Sequence, residues 1–160
     1  MSQAKTQFER VTRAFKKVLN NQNRDPVEYE DDVWNFFQNC WHLKDWIKND
    51  VQGVAKATRQ KIEVEVKGHP ALVTIGELTK KSKHLELTRS LKASRETPRA
   101  QTRRGATAYI DRRDQVKPIA ETGDSIYFVV TDENGDELAV KKLATDAMKN
   151  WMAIIKNYRI

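Results

Sequence analysis

Apolar side chains recur every three to four residues through most of the first 87 positions, and alternate in several stretches beyond residue 106. The first period predicts amphipathic helices and the second predicts strands. Over residues 3–20, Phe8, Val11, Phe15, Val18 and Leu19 share one face, with Lys and Arg on the other. That is a first helix. The run Asn20, Asn21, Gln22, Asn23 has poor helix propensity and breaks it. Asp25, Pro26 and Glu28 then mark a new start: Asp25 as N-cap, Pro26 at the first helical position, Glu28 completing a capping-box pattern.

The helix so begun is expected over residues 26–49, and it carries most of the information in the chain. Three of the four tryptophans and two of the five phenylalanines lie in it. Val33, Phe36, Phe37, Cys40, Leu43, Lys44 and Ile47 form one stripe, apolar but for the lysine, with Trp34, Phe37 and Trp41 beside it. A helix apolar over so wide an arc is covered by neighbours on at least two sides. Its third face aligns Asp31, Asn35, Gln38, His42, Asp45 and Asn49, hydrogen-bonding groups rather than the Lys and Glu of an ordinary solvated surface.

Asp50 is placed to cap a third helix through about residue 65, with Val51, Val54, Thr58 and Ile62 inward, although residues 61–66 alternate as a strand would. Gly68, His69 and Pro70 stop it. Leu72, Ile75, Leu78, Ser82 and Leu85 define a fourth helix over residues 71–85, whose basic end suits the helix dipole. Residues 106–111 read as a short strand. Residues 125–133 and 136–143 flank Asn134-Gly135, a strong hairpin signal because both turn residues accept positive φ. Ala147, Met148, Trp151, Ile154, Ile155 and Tyr158 predict a last helix from about residue 144. Trp34, Phe37, Cys40, Trp41, Ile47, Trp151 and Ile155 are the expected core. The fold class that follows is α+β in one domain: a bundle of four to five helices with a small antiparallel sheet inserted before the C-terminal helix. The segments are residues 1–87 for the bundle, 88–105 for a basic loop, 106–143 for strands and hairpin, and 144–160 for the returning helix.

Composition narrows the setting. With 39% hydrophobic and 32% charged residues the chain is a polar globular domain, and no apolar run approaches the roughly 20 residues that span a bilayer. The N-terminus lacks a signal peptide's apolar core and the single cysteine makes no internal disulfide, so the expected compartment is the cytoplasm. Residues 88–105 hold six Arg or Lys against one Glu, a net +5 out of the chain's +7, with Leu91 the one large apolar side chain. Such a segment buries little and is expected to be mobile or extended. Its cations Arg89, Lys92, Arg95, Arg99, Arg103 and Arg104 suit the phosphates of DNA or RNA, or an acidic protein; equally, they suit a solvated charged loop. It has no aromatic residue on which a base would stack.

The candidate chemistry centres on His42. Asp45, three residues on, is placed to fix its tautomer, as a general acid or base requires; the same pair also serves a buried network that sets helix register. If the second and fourth helices pack together, His42, Asp45, Lys83 and His84 converge. Two histidines, a carboxylate and a lysine suit metal-independent phosphodiester cleavage, with Lys83 offsetting charge on the phosphorane. Lys83 and His84 otherwise cap a helix end. His42 with Asp45 offers two metal ligands and no further pair, and no phosphate loop, nucleophile motif or dinucleotide fingerprint is visible, so neither a metal nor another cofactor is expected.

The stretch FFQNCWHLKDWIKND (residues 36–50) and KHLEL (residues 83–87) resemble a family of small bacterial and phage proteins with an "HLxDW … KHL" signature, followed there too by strands and a Trp-containing last helix. The resemblance covers most of the chain and implies a phage or mobile-element setting. More loosely the arrangement resembles the HEPN superfamily of helical bundles, many of them ribonucleases. That superfamily's mark, an Arg separated from a following His by four to six residues, is absent ahead of His42, His69 and His84. What the resemblance implies is therefore a fold, and a non-enzymatic module that binds nucleic acid or a partner, more than a reaction. The alternative it leaves is a ribonuclease using His42 and His84.

Overall fold

The computed structural model describes residues 2–21, 24–87, 99–104, 108–110, 116–118, 126–131 and 137–160. Five helices stand out among them: α1 (Gln3–Leu19), α2 (Pro26–Asn49), α3 (Lys56–Lys67), α4 (Pro70–Leu87) and α5 (Val140–Tyr158). They form the expected helical bundle. The hydrophobic core draws on all five, with Val33, Phe36, Phe37, Cys40, Leu43 and Ile47 of α2 fully buried among Val11 and Val18 of α1, Ile62 of α3, Ile75 of α4 and Trp151 of α5. The apolar stripe is buried as its spacing requires, and Lys44 within it is largely covered too, its side chain 13% exposed. Of the expected core residues, Phe37, Cys40, Ile47 and Trp151 are buried; Trp34, Trp41 and Ile155 lie half-buried against the cluster.

Helices α1 and α2 form an antiparallel pair. Asp25 caps α2 by accepting from the N–H groups of Val27 and Glu28 at 2.9 and 3.1 Å, with Pro26 in the first turn. Near that end the Tyr29 hydroxyl donates to the Val18 carbonyl at 2.9 Å, and Asp32 accepts from both Lys17 and Arg24. Halfway along, Gln7 Nε2 donates to Asn39 Oδ1 at 2.9 Å. At the far end the Asp50 carboxylate accepts from the Ser2 hydroxyl and the Ala4 amide at the start of α1.

Asp50 therefore does not cap α3. Its carboxylate is taken by α1 and by the amide of Gly53 at 2.8 Å, residues 51–54 form a turn, and α3 starts at Lys56 behind Ala55, which makes no side-chain cap. The alternation over residues 61–66 is overridden because Thr58, Ile62 and Val66, four apart, are all buried on one helical face. On α5, Trp151 Nε1 donates to the Cys40 carbonyl at 3.1 Å, tying the last helix to the middle of α2.

Between α4 and α5 the described backbone is extended in β1 (Arg99–Arg104), β2 (Ala108–Ile110), β3 (Val116–Pro118), β4 (Ile126–Thr131) and β5 (Glu137–Ala139). Pairing is antiparallel, β1 with β4, β4 with β5 and β2 with β3. Residues 140–143, expected to extend the hairpin, are instead the first turn of α5. Val140, Leu143, Ala144 and Ala147 fit a 3.6-residue period and are buried together, which outweighs the local alternation.

Candidate functional site

The polar stripe of α2 faces outward. Asp31, Asn35, Gln38 and Asn49 are exposed, and His42 and Asp45 are part-exposed. A buried register-setting network is ruled out by that placement. The stripe's contacts are local: Asn39 Nδ2 donates to Asn35 Oδ1 at 2.8 Å, and Asn49 Nδ2 to the Asp45 carbonyl at 2.9 Å.

His42 and Asp45 do meet, with Nδ1 3.3 Å from Oδ2. The other carboxylate oxygen of Asp45 accepts from Lys44 Nζ at 2.7 Å. Burial pushes the Asp45 carboxyl up, but the hydrogen bonds and charges of Lys44 and His42 outweigh it and hold the group below the usual carboxylate range. Lys44 is the less usual member: its side chain is only 13% exposed and its ammonium lies 4.7 Å from the centre of the Trp41 ring. A second ammonium, Lys80 of α4, lies 5.6 Å from the same ring and is paired with Glu77 at 2.8 Å. Each cation gains from the ring's negative face while a carboxylate satisfies it from behind. Together they make a continuous run of alternating charge, Glu77, Lys80, Trp41, Lys44, Asp45 and His42, across the α2–α4 seam.

Gly76 lets that seam close. A methyl group there would come within 2.5 Å of the Trp41 ring, so only a residue without Cβ fits. On the other border of the stripe Trp46 is 38% exposed, with the Arg10 guanidinium 5.7 Å from its ring centre. The outer face of α2 is thus a hydrogen-bonding ladder between aromatic borders, Trp41 carrying two cations and Trp46 one.

Lys83 and His84 lie on α4, one turn beyond Lys80; their side chains fall outside the described residues, and the convergence expected of them with His42 falls there too. Arg89, Lys92 and Arg95 also lie outside the described residues. Arg99, Arg103 and Arg104 are on β1, in register with Thr131, Tyr127 and Ile126 of β4, and β1 touches α2. Among the described residues no three His, Cys, Asp or Glu side chains form a metal-sized group. Cys40 is fully buried, and burial pushes its thiol up to about 12, which suits a packing residue and not a nucleophile.

Sequence reasoning missed Lys44, Lys80, Gly76 and Arg10. Two of them left a trace: Lys44 was the one charge on an apolar stripe, and a glycine inside a helix flags a close approach. Lys80 and Arg10 left none, because their roles depend on rings supplied by another helix.

No family model matches the chain, and no solved structure matches it. Over 138 residues, 84% of this chain, it is 25% identical to conserved oligomeric Golgi complex subunit 6 of Coccidioides immitis (strain RS). The chain spans 18% of that protein's length. A likeness so partial does not assign it to a family. None of the described helices is long and apolar enough to cross a membrane.

Proposed function

We propose that this chain is a non-enzymatic binding module whose α2 outer face receives a partner protein. The observation that carries this reading is the exposed ladder of Asn35, Gln38, His42 and Asn49 bordered by Trp41 and Trp46. Amides and imidazole offer donors and acceptors without a desolvation cost as high as that of charges, and tryptophan is enriched among the residues that anchor protein interfaces. Asp31 and Asp45 on the same face disfavour a phosphate backbone there, and the ring faces of Trp41 and Trp46 already hold cations, which leaves little room for a stacked base. The similar protein is, by its name, a subunit of an oligomeric complex, which points the same way. In this reading the strands form a small antiparallel sheet leaning on α5 and α2, the fold is HEPN-like, and the setting is cytoplasmic. The cations of residues 88–104 extend the module toward DNA or RNA.

The test is recovery of bound proteins from native lysate, with and without nuclease, using the intact chain beside Gln38→Arg and Trp46→Asp. Partners that survive nuclease and are lost in both variants support the reading. Partners that vanish with nuclease and ignore both variants transfer the function to the basic segment.

A second reading, a metal-independent ribonuclease, is favoured by one observation: His42 is solvent-accessible, oriented by Asp45, and adjacent to the seam where Lys80 precedes Lys83 and His84 by one turn. His42 and His84 would serve as base and acid, with Asp45 orienting His42 and Lys83 stabilising the phosphorane. Cleavage of a labelled RNA in chelator, abolished by His42→Ala and by His84→Ala, supports it; a preparation with no such activity retires it.

A further inference from the structure

From Asp31 to Asn49 the outward stripe of α2 steps by four, three, four, three and four residues, the spacing of a seam along which two helices interlock. Its members are set symmetrically about Cys40. Asp31 and Asn49 stand nine residues to either side, Asn35 and Asp45 five, Gln38 and His42 two. A second copy of α2 turned end for end therefore lays Asp31 against Asn49, Asn35 against Asp45 and Gln38 against His42. Each pair is made twice, as a twofold axis requires. The chemistry agrees with the register: every carboxylate meets an amide that donates to it, and the Gln38 amide meets an imidazole. Among the described residues Asp31 and Gln38 have no hydrogen-bond partner, and His42 uses only Nδ1, toward Asp45. The Gln38 amide donates to a bare Nε2 or accepts from a protonated one, so that pair holds in either state of the ring.

We infer that a second copy of this chain occupies the α2 face, antiparallel to the first and related to it by a twofold axis at the level of Cys40. The inference rests on the reading of that face as a protein-binding surface and names the partner. A foreign protein asks for no symmetry along the stripe; a second copy does. Other arrangements of two copies fail on charge. Parallel helices set Asp31 against Asp31 and Asp45 against Asp45. Sliding the antiparallel copy by one turn sets Asp31 against Asp45 in one direction, and in the other carries Asp31 past the end of α2 and sets His42 against His42. In the symmetric register Asp31 and Asp32 come level with Asn49 and Lys48, within one turn of Trp46 and its Arg10. Val27, 66% exposed and one turn before Asp31, continues the stripe at one end, and Val51, 68% exposed, follows it at the other. The same register brings these two within two residues of one level, which sets an apolar pair near each end of the seam.

Sedimentation of the full chain over about a hundredfold range of concentration reads the dimer directly, and two double variants give the expected result a sign. Asn35 and Asn49 face Asp45 and Asp31 of the second copy. Asn35→Lys/Asn49→Lys should therefore tighten the dimer severalfold, and Asn35→Asp/Asn49→Asp should weaken it about tenfold or more. Net charge alone predicts the reverse, because the first variant raises the chain's +7 by two and the second lowers it by two. Both positions are exposed, so thermal unfolding of the dilute variants should match the parent closely, which separates lost association from lost fold. A chain that stays monomeric over the whole range overturns the inference. If lysate partners still depend on Gln38 and Trp46 in that case, the α2 face receives a foreign protein and the wider reading stands; if none does, both fall. A dimer that ignores both variants uses another surface, and one that both variants weaken is paired in another way; either result overturns the inference as well.

Discussion

Gly76 occupies a point where a side chain has no room, and the sign of its replacement follows from that. On an exposed helix face, Gly→Ala stabilises by up to about 1 kcal/mol through helix propensity. Here the added methyl would strike the Trp41 ring, so Gly76→Ala should instead destabilise by roughly 1–3 kcal/mol, read as a fall in urea midpoint. Cys40 gives a second check at this scale. A fully buried thiol with its pKa pushed up to about 12 should ignore a disulfide reagent in the native protein and react at once in denaturant. His42 gives a third. Its part-exposed ring is not a buried partner to Asp45, so His42→Ala should shift unfolding free energy by less than about 1 kcal/mol. A larger loss would mean that the polar stripe is structural after all.

At the level of elements, the shared cap at Asp50 makes α1 sensitive to acid. The Ala4 amide, then the Ser2 hydroxyl, hold the Asp50 carboxyl below the usual carboxylate range. A group whose pKa is lower in the folded chain adds stability above its unfolded value, near 4, and that stability drains away as pH falls through the folded value. Exchange of the amides in the first turn of α1 should therefore accelerate below about pH 4, relative to the intrinsic rate, and Asp50→Asn should abolish that acid step. The helices themselves were legible beforehand. A 3.6-residue period and the Asp25-Pro26-Glu28 start are local signals, and α1, α2 and α4 followed them. Asp50 misled because an Asp before Val51 looks the same whether it caps the next helix or reaches back across 46 residues to Ala4. Residues 140–143 misled because Val-Lys-Lys-Leu satisfies both periods, and only burial against the bundle decides between them. The composition of the α2 stripe was legible, but not its exposure: amides and a histidine read alike inside a core and outside it. The seam of Trp41, Lys44, Gly76 and Lys80 needed two helices to be seen at all.

For the whole molecule, α5 is the element that closes the bundle around α2. Trp151 is fully buried and spends its one donor on the Cys40 carbonyl. Trp151→Phe keeps most of the apolar contact but removes the donor, and should cost roughly 1–3 kcal/mol in a single cooperative transition. The α1–α2 pair carries a further consequence. Its cross-links sit at three heights, Ser2 and Ala4 with Asp50, Gln7 with Asn39, and Lys17 and Val18 with Asp32 and Tyr29. A ratchet of α1 by one helical turn, about 5.4 Å, would break all of them at once and leave the Asp50 carboxylate and the Tyr29 hydroxyl without these partners. The two helices are keyed to a single register: any slide of α1 along α2 breaks every one of these cross-links together.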